Sequence, residues 1–414
     1  MFNLPAGQRH YDGCPRAQIF QTMKKFMSIA AVALGVAALA GCSKEEKKTE
    51  PVPEPEITGS DVLGVVPFTG GTMTYEFETN RAWKVTETGA TQASSEPYEP
   101  EIDPISGNAG KNKIEITFPA NKTQQEIKFS LTIALDKSAT TKSVDASKAY
   151  TKTLVFTIAA PSVMDAAGNV YKVVYLKDGN FWMAENLRYV PEGQKISGAP
   201  EPSTGSDTKS DNESDKVWYP YSTDGTKTTA LTDEASIKKL GLLYSAAFAL
   251  GVNEINENNY NKLEKAQGIC PEGWHIPSRT ELVGLCAATT KGDGETAAPA
   301  INENAVFYDA SLKNATVAKA NEAGFNFTFS GYVNNGTYNK LVIDNSVCNV
   351  EEYYGNPRMS YYLGSTGYKS PKQLQVFAMF TTFTSANSFG KLSAGYNNLT
   401  NGVAVRCVMD QPAN

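Results

Sequence analysis

Histidine is nearly missing from this chain of 414 residues, with only His10 and His275 present. Cysteine is scarce as well, limited to Cys14, Cys42, Cys270, Cys286, Cys348 and Cys407. A His-rich metal centre or a relay of several histidines cannot be assembled from that inventory. Basic charge is not in excess either. Lys and Arg number 38 against 44 Asp and Glu, a net charge of −6. A protein that grips a phosphate backbone carries a basic footprint, so no nucleic-acid partner is expected. What is present is the balance of a globular chain, 41% hydrophobic and 20% charged. Its length exceeds one ordinary core of about 100–200 residues, so a multidomain chain is expected.

The longest apolar run, residues 26–39, follows Met23-Lys24-Lys25. Its length and basic flank are those of a signal peptide, and it is too short for a comfortable membrane span. It ends in Leu39-Ala40-Gly41-Cys42, which resembles a bacterial lipobox, where a signal peptidase cuts before a lipidated cysteine. The resemblance implies lipidation at Cys42 and a membrane partner through that anchor. Met23 is then the expected start, and residues 1–41 are an upstream extension plus leader. Their loss removes Arg9, Arg16, Lys24, Lys25 and Asp12, takes the net charge to about −9 and leaves His275 as the single histidine. Ser43-Lys44-Glu45-Glu46 resembles the surface-export signal of Bacteroidetes lipoproteins, which implies an outer-membrane lipoprotein exposed at the cell surface. Residues 49–55 (TEPVPEP) should extend rather than fold, so residues 42–58 read as a stalk.

Residues 59–160 alternate with period two. Met73, Tyr75 and Phe77 interleave with Thr72, Thr74, Glu76 and Glu78, and Ile127, Phe129, Leu131, Ile133 and Leu135 form the longest ladder. Strands with one apolar and one polar face, separated by Gly, Pro and Asn turns, predict an antiparallel sandwich with Trp83 inside it. The Asn80-Arg81-Ala82-Trp83-Lys84-Val85 element and the Ala120-Asn121-Lys122-Thr123 turn resemble the BACON domain. That resemblance implies an immunoglobulin-like module of Bacteroidetes surface proteins.

From residue 161 to 414 the chain carries a series of short words. Asp165-Ala166-Ala167-Gly168-Asn169-Val170-Tyr171 and Asp178-Gly179 are turn signals of a hairpin, without the alternating oxygen ligands of a calcium loop. Trp182-Met183-Ala184-Glu185-Asn186-Leu187 follows, then a polar insertion at 196–215. Ser278, three residues before Glu281, predicts a capped helix with Leu282, Leu285 and Cys286 turned inward. Taken in order, D-x-x-G-N-V-Y, W-M-A-E-N-L, C-P-E-G-W-H-I-P-S, G-F-x-F-x-x-S-G-Y and V-R-C-V resemble the Fibrobacter succinogenes major paralogous domain. The resemblance implies an α+β C-type-lectin-like fold after the all-β sandwich, with Cys270 paired to Cys407. Cys286 and Cys348 lie outside these words and could form a second bridge or remain a helix thiol and a loop thiol, since four cysteines allow three connectivities.

No enzyme and no cofactor are expected. His275 sits in a word that ends at a helix cap and reads as structural. The Glu-Pro-Asn, Gln-Pro-Asp and Trp-Asn-Asp motifs of calcium-dependent lectins are absent, as is the C-terminal cysteine pair of the related formylglycine-generating enzymes. Residues 351–401 are dense in Tyr, Asn, Ser and Thr, the composition recognition surfaces favour. Tyr368, Asn387, Tyr396, Asn397 and Asn398 are the candidate ligand contacts, for a glycan or a protein. Tyr361 and Tyr362 are expected to pack. Two functions fit: a surface lipoprotein displaying a lectin-like recognition domain for adhesion or capture, or a structural subunit of a pilus or glycan-uptake assembly.

Overall fold

The computed structural model describes residues 53–411 apart from 62, 92–96, 138–147, 149, 199–215, 224–227, 287–301, 335–336, 339–359, 370–373, 382–389 and 399–401. The leader, Cys42, Cys348 and Asn387 therefore lie outside the described residues. Strands hold 44% of the described residues and helices 9%.

Nine strands come first: β1 (Ile57–Gly59), β2 (Val65–Val66), β3 (Gly71–Thr79), β4 (Trp83–Thr91), β5 (Glu101–Asp103), β6 (Ser106–Gly107), β7 (Gly110–Phe118), β8 (Ile127–Leu135) and β9 (Thr151–Ile158). They form two sheets, ordered β1-β3-β7-β5 and β2-β9-β8-β4-β6. The period-two pattern decides which side chains go inside. In β8 each of Ile127, Phe129, Leu131, Ile133 and Leu135 is buried, while the residues between them are less so. Phe129 lies opposite Phe156 and Leu131 opposite Leu154 on β9. Ile114, Ile116 and Phe118 of β7 come from the other sheet to the same core. Each such ring or branched side chain gains about 1.5–3 kcal/mol from burial. Trp83 is 3% exposed and edges onto Phe77 at 4.9 Å, as the sequence predicts.

The rest of the chain opens with β10 (Ser162–Met164), β11 (Val170–Tyr175), β12 (Phe181–Met183), β13 (Val217–Trp218), β14 (Tyr221–Thr223) and β15 (Thr228–Ala230). Next come α1 (Glu234–Leu240), β16 (Leu243–Ser245), α2 (Ala246–Ala249), β17 (Trp274–His275), α3 (Arg279–Leu285), β18 (Tyr308–Asp309), β19 (Asn314–Thr316) and α4 (Val317–Glu322). It closes with β20 (Val333–Asn334), β21 (Thr337–Tyr338), β22 (Tyr361–Lys369), β23 (Leu374–Thr381), β24 (Lys391–Asn398), β25 (Gly402–Val403) and β26 (Val408–Met409).

The predicted hairpin is present, as β10 pairs with β11 and β11 with β12. Asp165 makes its turn by accepting from the amides of Ala167 and Asn169 at 2.9 and 3.0 Å, an Asx turn rather than a cation loop. The chain end then returns to the middle. β26 lies between β12 and β17, and β25 between β16 and β20. Gly402 makes the second insertion possible, because a Cβ there would stand 2.6 Å from the Trp218 ring. The third large sheet, β18-β19-β24-β23-β22, carries α3 and the tyrosine-rich strands. The α3 cap is the reciprocal box the sequence predicts, with Ser278 Oγ accepting from the Glu281 amide and the Glu281 carboxylate accepting from the Ser278 amide. Leu282, Leu285 and Cys286 are all buried beneath it.

Candidate functional site

The short words of the second region meet inside the protein. Arg406 is 1% exposed, and its Nε donates to Asn186 Oδ1 at 2.7 Å across 220 positions of sequence. Its other nitrogens donate to the carbonyls of Phe325 and, at 2.6 Å, Asn326. The guanidinium lies against the Phe325 ring at 4.3 Å and the Tyr362 ring at 5.1 Å. Asn186 in turn donates through Nδ2 to the Leu240 carbonyl and the Ser330 hydroxyl, each at 2.8 Å, and to Thr328 Oγ1 at 2.9 Å. A buried cation survives only when its donors are satisfied, and burial pulls the Arg406 pKa below its usual value. Pieces of W-M-A-E-N-L, G-F-x-F-x-x-S-G-Y and V-R-C-V thus form one polar knot sealed from solvent. They specify the interior of the second region.

His275 is also buried, at 4% exposure. Its partners are two carboxylates: Nδ1 meets Asp410 at 2.5 Å, and Nε2 meets both Glu281 oxygens at 3.2 Å. Lys265 Nζ joins Glu281 at 2.8 Å. Burial alone would lower the His275 pKa, but the bonds to Glu281 and Asp410 outweigh it and raise the value. Burial would raise Glu281, yet bonds from His275, Lys265 and Ser278 bring its carboxyl down to about 2. The two carboxylates lie at opposite edges of the ring, so the three groups do not converge on one point. Among the described residues no group of three or more His, Cys, Asp or Glu is placed to hold a metal. The cluster joins the cap of α3 to the end of β26.

Cys270 and Cys407 form the disulfide that the family resemblance implies, with Cα atoms 5.9 Å apart. The optional second bridge is not made by Cys286, which is a free thiol with no exposure. It packs with Leu282 and Leu285 in an apolar cluster, and burial pushes its pKa far above the ordinary thiol range. Such a thiol is inert, because the thiolate is the reactive form.

The candidate ligand contacts divide. Tyr368 on β22 and Tyr396 on β24 stack with ring centroids 4.5 Å apart and planes at 27°, both partly exposed. Strand β23 lies between their strands, with Phe377 opposite Tyr396 and edge-on to it at 5.2 Å. Asn397 and Asn398 continue β24 opposite Val376 and Gln375; their side chains, like Asn387 as a whole, lie outside what is described. Tyr362 is buried, and Tyr361 packs against Tyr332 and Phe380, so both pack as expected. One participant is absent from the sequence reading. Arg279, the first residue of α3, donates to Tyr396 Oη at 3.3 Å and lies 5.7 Å from that ring. Nothing in the local sequence signals a contact across 117 positions.

The fold and these sites define a strand-dominated, disulfide-tied protein whose own C-terminal strands complete its central sheets. The chain belongs to the Fibrobacter succinogenes major domain family, which matches residues 178–409, more than half of its length. No curated protein matches it. Several solved structures share a partial likeness. A Bacteroides ovatus GH5 xyloglucanase is 18% identical over 27% of this chain and 20% of its own, with a TM-score of 0.19. The ASH/PapD-like domain of human CEP192 is 14% identical over 31% of this chain and 96% of its own, at 0.20. The E. coli chaperone DraB is 10% identical over 26% and 57%, also at 0.20. The chain spans about a fifth of the length of the xyloglucanase.

Proposed function

We propose that this protein is a surface-anchored lipoprotein that displays a lectin-like recognition domain, binding a glycan or protein ligand without catalysis. The observation that carries the reading is the stacked Tyr368–Tyr396 pair, brought together from two strands on a partly exposed sheet face beside Arg279. Rigid aromatic surface held in place by strands binds at low entropic cost. The return of β25 and β26 to the centre, tied by Cys270–Cys407, supports a C-type-lectin-like organisation of the second region. The facing sheets of β1–β9 around one core support an immunoglobulin-like, BACON-type first region. Cys42 and the charged residues after it supply the anchor and the export signal in this reading.

A glycan and mucin array probed with the intact protein tests it. Binding that falls at least tenfold in the Tyr368→Ala/Tyr396→Ala double variant, at unchanged thermal midpoint, is the expected result. No array binding together with stable co-purification of envelope partners would overturn it in favour of a structural subunit of a pilus or uptake assembly. Whole-cell protease treatment reports on display, and complete protection would count against surface exposure.

A further inference from the structure

Two residues separate the sandwich from the hairpin that follows, since β9 ends at Ile158, Ala159 still pairs with β2, and β10 opens at Ser162. A short connector alone leaves a hinge, and relative motion is the default for regions that share little apolar surface. Here both ends of the connector are held. The Ala159 amide donates to the Val66 carbonyl at 2.9 Å, and the Pro161 carbonyl accepts from the Val173 amide of β11 at 3.2 Å. Asn121, with no exposure, holds the exit from a third direction. Its Nδ2 donates to the Ala159 carbonyl at 2.9 Å and to Gln125 at 2.7 Å, and its amide donates to the Phe68 carbonyl at 2.7 Å. Its Oδ1 accepts from the amide and hydroxyl of Thr123. Both polar atoms of this side chain are thus used to tie the 120–125 turn to the connector, and the backbone amide of Asn121 adds the 67–70 loop.

The same turn and loop reach across to the second region. Phe68 is no part of the sandwich core; its ring stands edge-on to Phe181 of β12 at 5.3 Å and packs with the second region's cluster, as does Ala120. Lys122 Nζ sits 4.7 Å from the centre of the Tyr175 ring on β11. Gln124 occupies the space a side chain at Gly324 would need, since a Cβ there would stand 2.0 Å from Gln124 Nε2. Gly324 also has φ +82, so the approach depends on glycine twice over.

We infer that the 120–125 turn, with Phe68, is a latch that fixes the sandwich on the β11–β12 hairpin, making the first region a rigid mount rather than a swinging spacer. This goes beyond the recognition reading and does not depend on which ligand is bound. Hydrogen exchange of the intact protein, read by mass spectrometry, tests it. In the wild type the amides of Ala159 and Val173 are expected to exchange at least a hundredfold more slowly than those of exposed turns. Phe68→Ala should raise exchange at these amides at least tenfold while β8 and β26 keep their protection. Lys122→Glu, at an exposed position, should act the same way to a smaller degree. Junction amides that exchange in the wild type as fast as exposed turns, or that neither substitution accelerates, would overturn the latch.

Discussion

Asn186 and Arg406 have no meaning apart from each other. The amide oxygen of Asn186 takes the guanidinium Nε, and its nitrogen reaches Leu240, Thr328 and Ser330. Asn186→Ala would strand a buried cationic donor, so a loss of about 2–4 kcal/mol is expected. Urea unfolding should show it as a lower midpoint at constant slope, and a loss under about 0.5 kcal/mol, the size typical of ordinary surface changes, would mean the network is not load-sharing at this point. His275 makes a second residue-scale prediction, this time in pH. Its folded pKa is raised, so its stabilising contribution is complete below about 6.5 and fades as pH rises through the folded value. Glu281, depressed to about 2, behaves in the opposite sense: its contribution is complete above about 4.5 and fades as pH falls towards 2. Thermal midpoints should therefore decline from the slightly acidic range into the alkaline range, and His275→Asn should flatten that decline. A His275→Asn profile parallel to the wild type would refute the assignment.

At the scale of elements, helices and strands depend on different support. α3 has seven residues, too few to hold itself in water without packing and caps. Ser278→Ala opens the capping box and also removes the hydroxyl bond to Glu281, so about 1 kcal/mol should be lost. Because Glu281 then loses a partner that holds its carboxyl down, its folded pKa moves back toward the unfolded value and less stability is left to lose in acid. The cost of the substitution should be larger at pH 7 than at pH 3, which equilibrium unfolding at the two values would register. That helix was legible in sequence because a cap is a local signal, as were β3, β7, β8 and β9, whose one-sided burial writes period two into the chain. β22 and β23 were not. Tyr362 to Ser365 and Gln375 to Met379 are buried without alternation, because these strands are covered on both faces. The Tyr368–Tyr396 pair follows from their register, so its members could be named by composition but not joined. Arg279 was invisible for the same reason: its contact with Tyr396 exists only after α3 has docked on β23.

For the whole molecule the decisive fact is that the last ten described residues complete two sheets begun far upstream. β25 and β26 each sit between older strands, so neither central sheet is finished until the chain end has arrived. Pairings this distant contribute only after a large loop has closed. The Cys270–Cys407 bond removes most of that loop from the unfolded ensemble, spanning 137 positions, which on the chain-entropy model stabilises by up to about 5 kcal/mol. Replacing both cysteines with alanine should therefore cost several kcal/mol at equilibrium and slow refolding, while Cys286→Ala should leave the refolding rate near wild type, since its thiol closes no loop. The cysteine-free end should also be released first: amides of β26 and β17 are expected to lose exchange protection before those of β8, whose sandwich core contains no residue of the disulfide. Equal loss of protection in both places would mean that the C-terminal closure and the sandwich unfold as a single unit, and that the latch at Asn121 couples them more tightly than the disulfide separates them.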